Sequence, residues 1–247
     1  MSKFQFKQFI VNQDHCAMKV GTDGVLLGAW TPIDNQPFSV LDIGAGTGIL
    51  ALMLAQRCSA EHSSLKGEPA QQIDAIEIDE EAFEQCVENF ENSPWSDRLY
   101  CYHAGLDEFM EEPEDEYDLI ISNPPFYSED YKTESEQRDL ARFQDALPFE
   151  DLVEAASMLL SESGIFAVIV PYKEEAKLIG LAKECNLFPF KITRVKGTPT
   201  TEIKRSLLAF SFAEKTNFPI DELIIETARH QYTEDYIALT KDFYLKM

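Results

Sequence analysis

The sequence predicts an α/β fold built on a doubly wound, mostly parallel sheet, and three observations carry that prediction. From about Phe38 onward, short β-rich runs alternate with stretches of helical period. Several of those runs are apolar almost throughout, as strands covered by helices on both faces are. A glycine-rich turn follows the first run and an acid ends the second, so two ligand-type features share one edge of the sheet.

In chain order, the N-terminal stretch "KVGTDGVLLGAW" (19–30) sets Thr22 and Asp23, both good N-cap residues, before a short apolar helix. Strands are predicted at "FSVLDIG" (38–44), "IDAIEID" (73–79), "LYCYH" (99–103), "YDLIIS" (117–122), "GIFAVIVP" (164–171) and "SLLAFSF" (206–212). Helices are predicted at "GILALMLAQRC", "EEAFEQCVENFE", "FEDLVEAASMLL" and "KEEAKLIGLAKEC" between them. Residues 59–72 are polar with Gly and Pro, an exposed insertion. Residues 127–147 form a long charged connection, of a length that compact domains keep for function or leave unfolded. The expected organisation is an N-terminal extension over 1–37, a main domain over 38–213, and a C-terminal strand and helix over 214–247 packed on it.

A chain of 247 residues with 45% hydrophobic and 26% charged residues can bury a sizeable core. Its five cysteines and four histidines show no C-x-x-C pair and no zinc spacing, so neither a disulfide framework nor a metal is expected and a reducing cytoplasm fits. No run is long and apolar enough to suggest a leader or a membrane span. The formal net charge of −23 argues against a polyanionic partner until its distribution is read. Glu68 to Asp118 holds eighteen acids and one base, Arg98, whereas Lys173 to Arg205 holds eight bases and four acids. Acidity and basicity are each local.

The turn "GAGTGI" spaces Gly44, Gly46 and Gly48 by two, and the third glycine of a dinucleotide fingerprint would fall on Ile49, which argues against a nicotinamide cofactor. Glycines there let the backbone turn sharply beside a helix N-terminus and approach a ligand closely. The alternative reading is a tight strand-to-helix turn with no ligand. Glu77, at the carboxyl edge of the next strand, favours the ligand, because an acid there can hold two ribose hydroxyls.

"VLDIGAGTG", the acid ending the second strand and the N-P-P-F that ends the fourth together resemble the class I S-adenosylmethionine-dependent methyltransferases from Phe38 to Phe212. The resemblance implies a seven-stranded Rossmann-like sheet and S-adenosyl-L-methionine as cofactor. It implies cofactor contacts from Thr22, Asp23, Asp42, Gly44, Gly46, Gly48, Glu77 and Asn123. One position departs from the family: after the third strand these enzymes usually carry an Asp facing the adenine ring, where this chain has Gly105, with Asp107 two residues later. Either Asp107 or a backbone amide then takes the role, and an acid in the first turn of a helix is also explained by the helix dipole.

Two prolines after Asn123 fix their own φ and restrict the residue before them, so Asn123 is delivered with little freedom. An aromatic or amide nitrogen is a poor nucleophile because its lone pair is delocalised. Hydrogen bonds from its N–H₂ group to the Asn123 side-chain oxygen and the Pro124 carbonyl would favour a more tetrahedral nitrogen, with Pro125 stiffening the turn and Phe126 stacking on the planar acceptor. The alternative for these four residues is a rigid turn with a core phenylalanine. In related enzymes the motif marks transfer to adenine N6, cytosine N4, guanine N2 or a glutamine amide. The flanks "FKQFIVNQDHCAMKVGTDGVLLGAW" (6–30), "QRDLARF" (137–143) and "YTEDYIALTKDFYLKM" (232–247) resemble the bacterial tRNA adenine-N6 methyltransferases that act just 3′ of the anticodon of a valine tRNA. That resemblance implies a monomer acting on tRNA, with no membrane and no metal.

For the RNA, Arg138 and Arg142 would share a helical face, although the acids around them equally make a solvated ion-pair face. Lys191, Arg194, Lys196, Lys204 and Arg205 form the other candidate surface, against which stands a merely basic exposed face. The competing functions are methylation of a protein glutamine or of guanine N2 in ribosomal RNA, and a catalytically silent cofactor-binding protein.

Overall fold

A computed structural model describes residues 2–62, 71–111, 116–125 and 147–247. The chain opens with a small antiparallel hairpin, β1 (Lys3–Gln5) and β2 (Ile10–Asn12), and helix α1 (Thr22–Trp30). Alternation follows: β3 (Ser39–Ile43), α2 (Ile49–His62), β4 (Gln72–Glu77), α3 (Glu80–Glu91), β5 (Leu99–His103), α4 (Leu106–Glu111) and β6 (Tyr117–Ser122). The second half holds α5 (Phe149–Leu159), β7 (Leu160–Pro171), a 3₁₀ turn at Tyr172–Glu174, α6 (Glu175–Glu184), β8 (Phe188–Lys196) and β9 (Ile203–Ser211). It ends with β10 (Ile220–Ile224), the hairpin β11 (Glu226–Ala228) and β12 (Gln231–Tyr232), and α7 (Glu234–Thr240).

Among the described residues the main sheet has eight strands in the order β10-β8-β9-β7-β6-β3-β4-β5, antiparallel only where β9 meets β7 and β8. It carries one strand more than the expected seven, because β10 adds to β8 in parallel. Of these two, β8 falls at no predicted strand, whereas β10 lies where a C-terminal strand is expected, without bounds, in residues 214–247. In β8, Pro189 sits at a register shift and charged residues alternate with apolar ones. In β10, "IDELI" is mostly exposed, and charge is how an edge strand is protected from further pairing.

Side-chain alternation divides the core in two. Val40, Leu119, Ile121, Ala167 and Ile169 face one cluster with residues of α1, α2 and α3. Leu41, Ile43, Ile120, Phe166 and Val168 face the other with α5 and α6. Helix α1 buries every residue from Gly24 to Trp30, consistent with its apolar composition on all sides. A Cβ on Gly28 would lie 2.7 Å from Met53 Sδ, so the missing side chain lets α1 lie close on α2. The N-terminal helix is thus part of the first core cluster. The chain ends meet as well: Lys7 N–H donates to Phe243 O at 2.8 Å, and Phe6 bridges Tyr244.

Candidate active site

The sheet order reverses at β3, which pairs with β4 on one side and β6 on the other, and such a switch point opens a crevice at the carboxyl ends of the strands. Ile43 and Ser122 are partners at the last rung, where the Ser122 hydroxyl also donates to Ile43 O at 2.8 Å. Gly44 and Asn123 therefore leave from neighbouring strand ends, about 5 Å apart at strand spacing.

Gly44, Gly46 and Gly48 have φ of 75°, 55° and 75°, the left-handed region in which a side chain is strained. Gly44 N–H and Ala45 N–H donate to Ile76 O at 3.0 and 3.1 Å, and Gly46 N–H donates to Glu77 Oε2 at 2.7 Å. Glu77 Oε1 accepts from Asp79 N–H at 3.0 Å, and Asp79 caps α3 through Ala82 N–H at 2.8 Å. Asp79 is thereby a helix cap. Glu77 fixes the turn with one lone pair on each oxygen and keeps acceptor capacity on both. A Cβ built on Gly44 or Gly46 would meet nothing within 4 Å, so the turn borders open space.

Asp42, directly beneath, is fully buried. Its Oδ2 accepts from Ala51 N–H at 3.3 Å, while Oδ1 has no hydrogen-bond partner. Burial, and secondarily the charge of Glu77, push its pKa up to about 7, with the Ala51 hydrogen bond opposing them. A carboxyl group that binds its proton more tightly folded than unfolded lends stability below its unfolded pKa and loses it as pH rises through the folded one. From the ordinary 3.8 to about 7 this amounts to on the order of 4 kcal/mol at most. Asp42→Asn is expected to remove this dependence: urea denaturation at pH 5 and pH 8 should show its stability relative to wild type rising at the higher pH.

On the acceptor side Pro124 is buried, Asn123 half-buried and Pro125 exposed. Asn123 Nδ2 lies about 4.0 Å from where a Gly24 Cβ would stand, so the start of α1 rests on the motif. Phe126 lies outside the described residues. The N-cap of α1 is Gly21, which makes no side-chain cap, so Thr22 and Asp23 lie in the first turn rather than capping the helix. Asp23 Oδ2 instead accepts from Arg205 Nε at 2.7 Å, which ties α1 to the start of β9.

Beyond β4 and β5, Asp107 folds back over Gly105: its Oδ1 would be 2.7 Å from a Cβ there. The carboxylate thus lies beside Gly105, just past the carboxyl end of β5. Ile78 Cδ1 lies 3.4 Å from the same point and Ile78 is 56% exposed, an apolar side chain stranded at the lip between two acids. Three features were missed in sequence reading: Ile78, Asn89 and Cys16. Buried Asn89 donates to Thr47 O and Asn12 O, both at 2.9 Å, and accepts from Asn12 N–H at 2.8 Å, locking the glycine turn to the N-terminal hairpin. Burial, with the charges of Glu77 and Asp79 adding to it, pushes the Cys16 thiol up to about 12, and the segment before it is tied to α3 by Asp14 N–H and His15 N–H, which donate to Gln85 Oε1 at 3.0 and 3.2 Å. Only a polar residue on the inner face of α3 hinted at Asn89.

Of the seven cations assigned to RNA, the five in the basic tract are mostly engaged within the protein. Lys191 Nζ lies 4.5 Å from the Trp30 ring centre and is partly buried. Arg194 forks onto Glu175 at 2.7 and 3.2 Å, Lys196 pairs with Glu222 at 2.8 Å, and Arg205 holds Asp23. Lys204 is exposed, with no ion pair among the described residues. Arg138 and Arg142 lie outside the described residues.

A doubly wound sheet with a glycine turn, an acid-ended second strand and Asn-Pro-Pro meeting at its switch point is the arrangement of a methyltransferase. The family model described as "Methyltransferase small domain" matches residues 25–183, and the chain belongs to that family. Over its whole length it is similar to proteins named tRNA1(Val) (adenine(37)-N6)-methyltransferase. It is 71% identical to the one from Flavobacterium johnsoniae (99% of this chain, 100% of the relative), 59% to that from Christiangramia forsetii (99% and 98%) and 42% to that from Bacteroides fragilis (99% and 98%). Among solved structures it resembles a predicted O-methyltransferase from Agrobacterium tumefaciens with a TM-score of 0.68 at 20% identity (90% of this chain, 96% of that one). It also resembles the CcbJ methyltransferase of Streptomyces caelestis with a TM-score of 0.55 at 12% identity (82% and 96%). These two likenesses support the fold.

Proposed function

We propose that this protein methylates N6 of adenine 37 in tRNA1(Val), with S-adenosyl-L-methionine as methyl donor, acting in the cytoplasm as a monomer. The observation that carries the reading is the pairing of Ile43 with Ser122, which sets the glycine turn and Asn123 on adjacent strand ends. The full-length relatives, at up to 71% identity, support adenine in tRNA over glutamine or guanine.

The residues present fit the cofactor. The open side of Gly44 and Gly46 leaves room for it, the unpartnered Oδ1 of Asp42 would accept from its amino group, Glu77 would take its ribose hydroxyls, and Ile78 with Asp107 would flank its adenine. When bound, it supplies an electrophilic methyl on a sulfonium. The protein's own contribution lies in the acceptor. Asn123 and the Pro124 carbonyl accept the hydrogens of the adenine amino group, which draws its lone pair out of the ring and turns it toward the glycine turn. The proton leaves after transfer, so no general base is required.

Incubation with radiolabelled cofactor and total tRNA from a strain lacking the enzyme, followed by nucleoside analysis, should give label in N6-methyladenosine. Label in 2-methylguanosine or in protein would overturn the reading.

A further inference from the structure

The carboxyl edge of the sheet is divided by charge. Around the ends of β4 and β5 stand Glu77, Asp79, Glu80, Glu81, Asp107 and Glu108, with no Lys or Arg in residues 72–97 or 99–111. This half would repel a polyanion, and it is the half that holds the cofactor in the reading above. On the other side of β6, the turn after β7 and the start of β9 carry Lys173 and Lys204, both exposed, against Glu174 and Glu202. An RNA that brings adenine to Asn123 must therefore approach over β7 and β9.

Tyr172 stands at that approach. It follows Pro171, the last residue of β7, which pairs with Arg205 on the last rung of the ladder, and it opens the 3₁₀ turn that packs against the start of β9, where Lys204 precedes Arg205. The Arg194 guanidinium carbon lies 5.3 Å from the centre of the Tyr172 ring, and Arg194 is itself gripped by the two oxygens of buried Glu175, which also accepts from the Ser206 hydroxyl. A ring braced in this way loses little freedom when something stacks on it, yet Tyr172 remains 39% exposed. Aromatic rings of this kind recognise unpaired nucleotides, because every base offers a π face.

We infer that Tyr172 is a stacking platform for an unpaired base of the anticodon loop next to the target adenine, with Lys173 and Lys204 meeting the flanking phosphates. The inference rests on tRNA being the substrate. Arg194 and Glu175 act through Tyr172, holding the platform rather than touching RNA.

Steady-state kinetics on unmodified tRNA1(Val) transcript test it. Wild-type turnover on that transcript comes first, since its failure would refute the tRNA reading and leave Tyr172 aside. Given turnover, Tyr172→Ala and Tyr172→Leu should raise KM for tRNA about tenfold, within the range of base stacking, while cofactor affinity and melting temperature stay at wild type. Tyr172→Phe should retain wild-type KM. Lys173→Ala and Lys204→Ala should each lower the slope of log affinity against log salt by about one phosphate's worth. The inference is overturned if Tyr172→Leu matches wild type, which would make bulk over Arg194 the whole role, or if Tyr172→Phe is as impaired as Tyr172→Ala.

Discussion

Asn123→Ala is expected to abolish methyl transfer while leaving cofactor binding intact. The side chain hangs from a turn whose next residue, Pro124, is buried, and the strand beneath is pinned by the Ser122–Ile43 hydrogen bond, so truncation should not disturb the sheet. What is lost is one of two acceptors that hold the amino group in its reactive shape. Removing a single preorganised hydrogen-bonding group of this sort costs on the order of 10²–10³ in kcat. Asn123→Asp, which keeps an oxygen at the same reach, should retain more activity than Ala. The measurements are single-turnover methylation of tRNA and cofactor binding by calorimetry. If turnover were unchanged in the Ala variant, the acceptor role of Asn123 would be lost; if cofactor binding fell with it, Asn123 would belong mainly to the cofactor site.

The contrast between strands and surface explains what the sequence could reveal. Strands buried on both faces announce themselves, because β3, β6 and β7 are apolar at nearly every buried position, with Asp42 and Ser122 the exceptions beside the site, and their positions were readable within a few residues. The turn and the Asn-Pro-Pro motif were readable for a related reason: glycine at positive φ and consecutive prolines are chemical necessities of the backbone. Partners across the fold were not readable. Arg194 and Arg205 look like surface cations along the chain, yet folding brings Glu175 and Asp23 onto them from 19 and 182 residues away. Local charge counts carry no information on that pairing, which is why the basic tract read as an open RNA surface. Edge strand β10 was expected only as a strand without bounds in residues 214–247, since its protective charge makes it resemble a loop.

Gly46 and Gly48 of the turn, similar in sequence, are expected to separate sharply on substitution. Gly48→Ala should be a folding defect. Its φ of 75° costs an L-residue roughly 1–2 kcal/mol, and its Cβ would stand 2.5 Å from Phe90 Cε1 and 2.8 Å from Cys86 Sγ, both deep in the core against α3. Overpacking of that kind adds about 1–3 kcal/mol, and for a chain of this size the sum lowers the melting temperature by roughly 5–15 °C. Gly46→Ala carries the conformational penalty alone, because nothing lies within 4 Å of its Cβ. Its new methyl group would stand instead in the space beside the backbone N–H that Glu77 holds. Its melting temperature should fall by only a few degrees, while cofactor affinity falls about tenfold or more, the loss that a misfit of ~1.4 kcal/mol produces. Thermal denaturation paired with cofactor titration distinguishes the two. If Gly46→Ala bound the cofactor as wild type does, the open side of the turn would not be the cofactor's cradle, and backbone conformation together with the close packing at Gly48 would explain why the motif is rich in glycine.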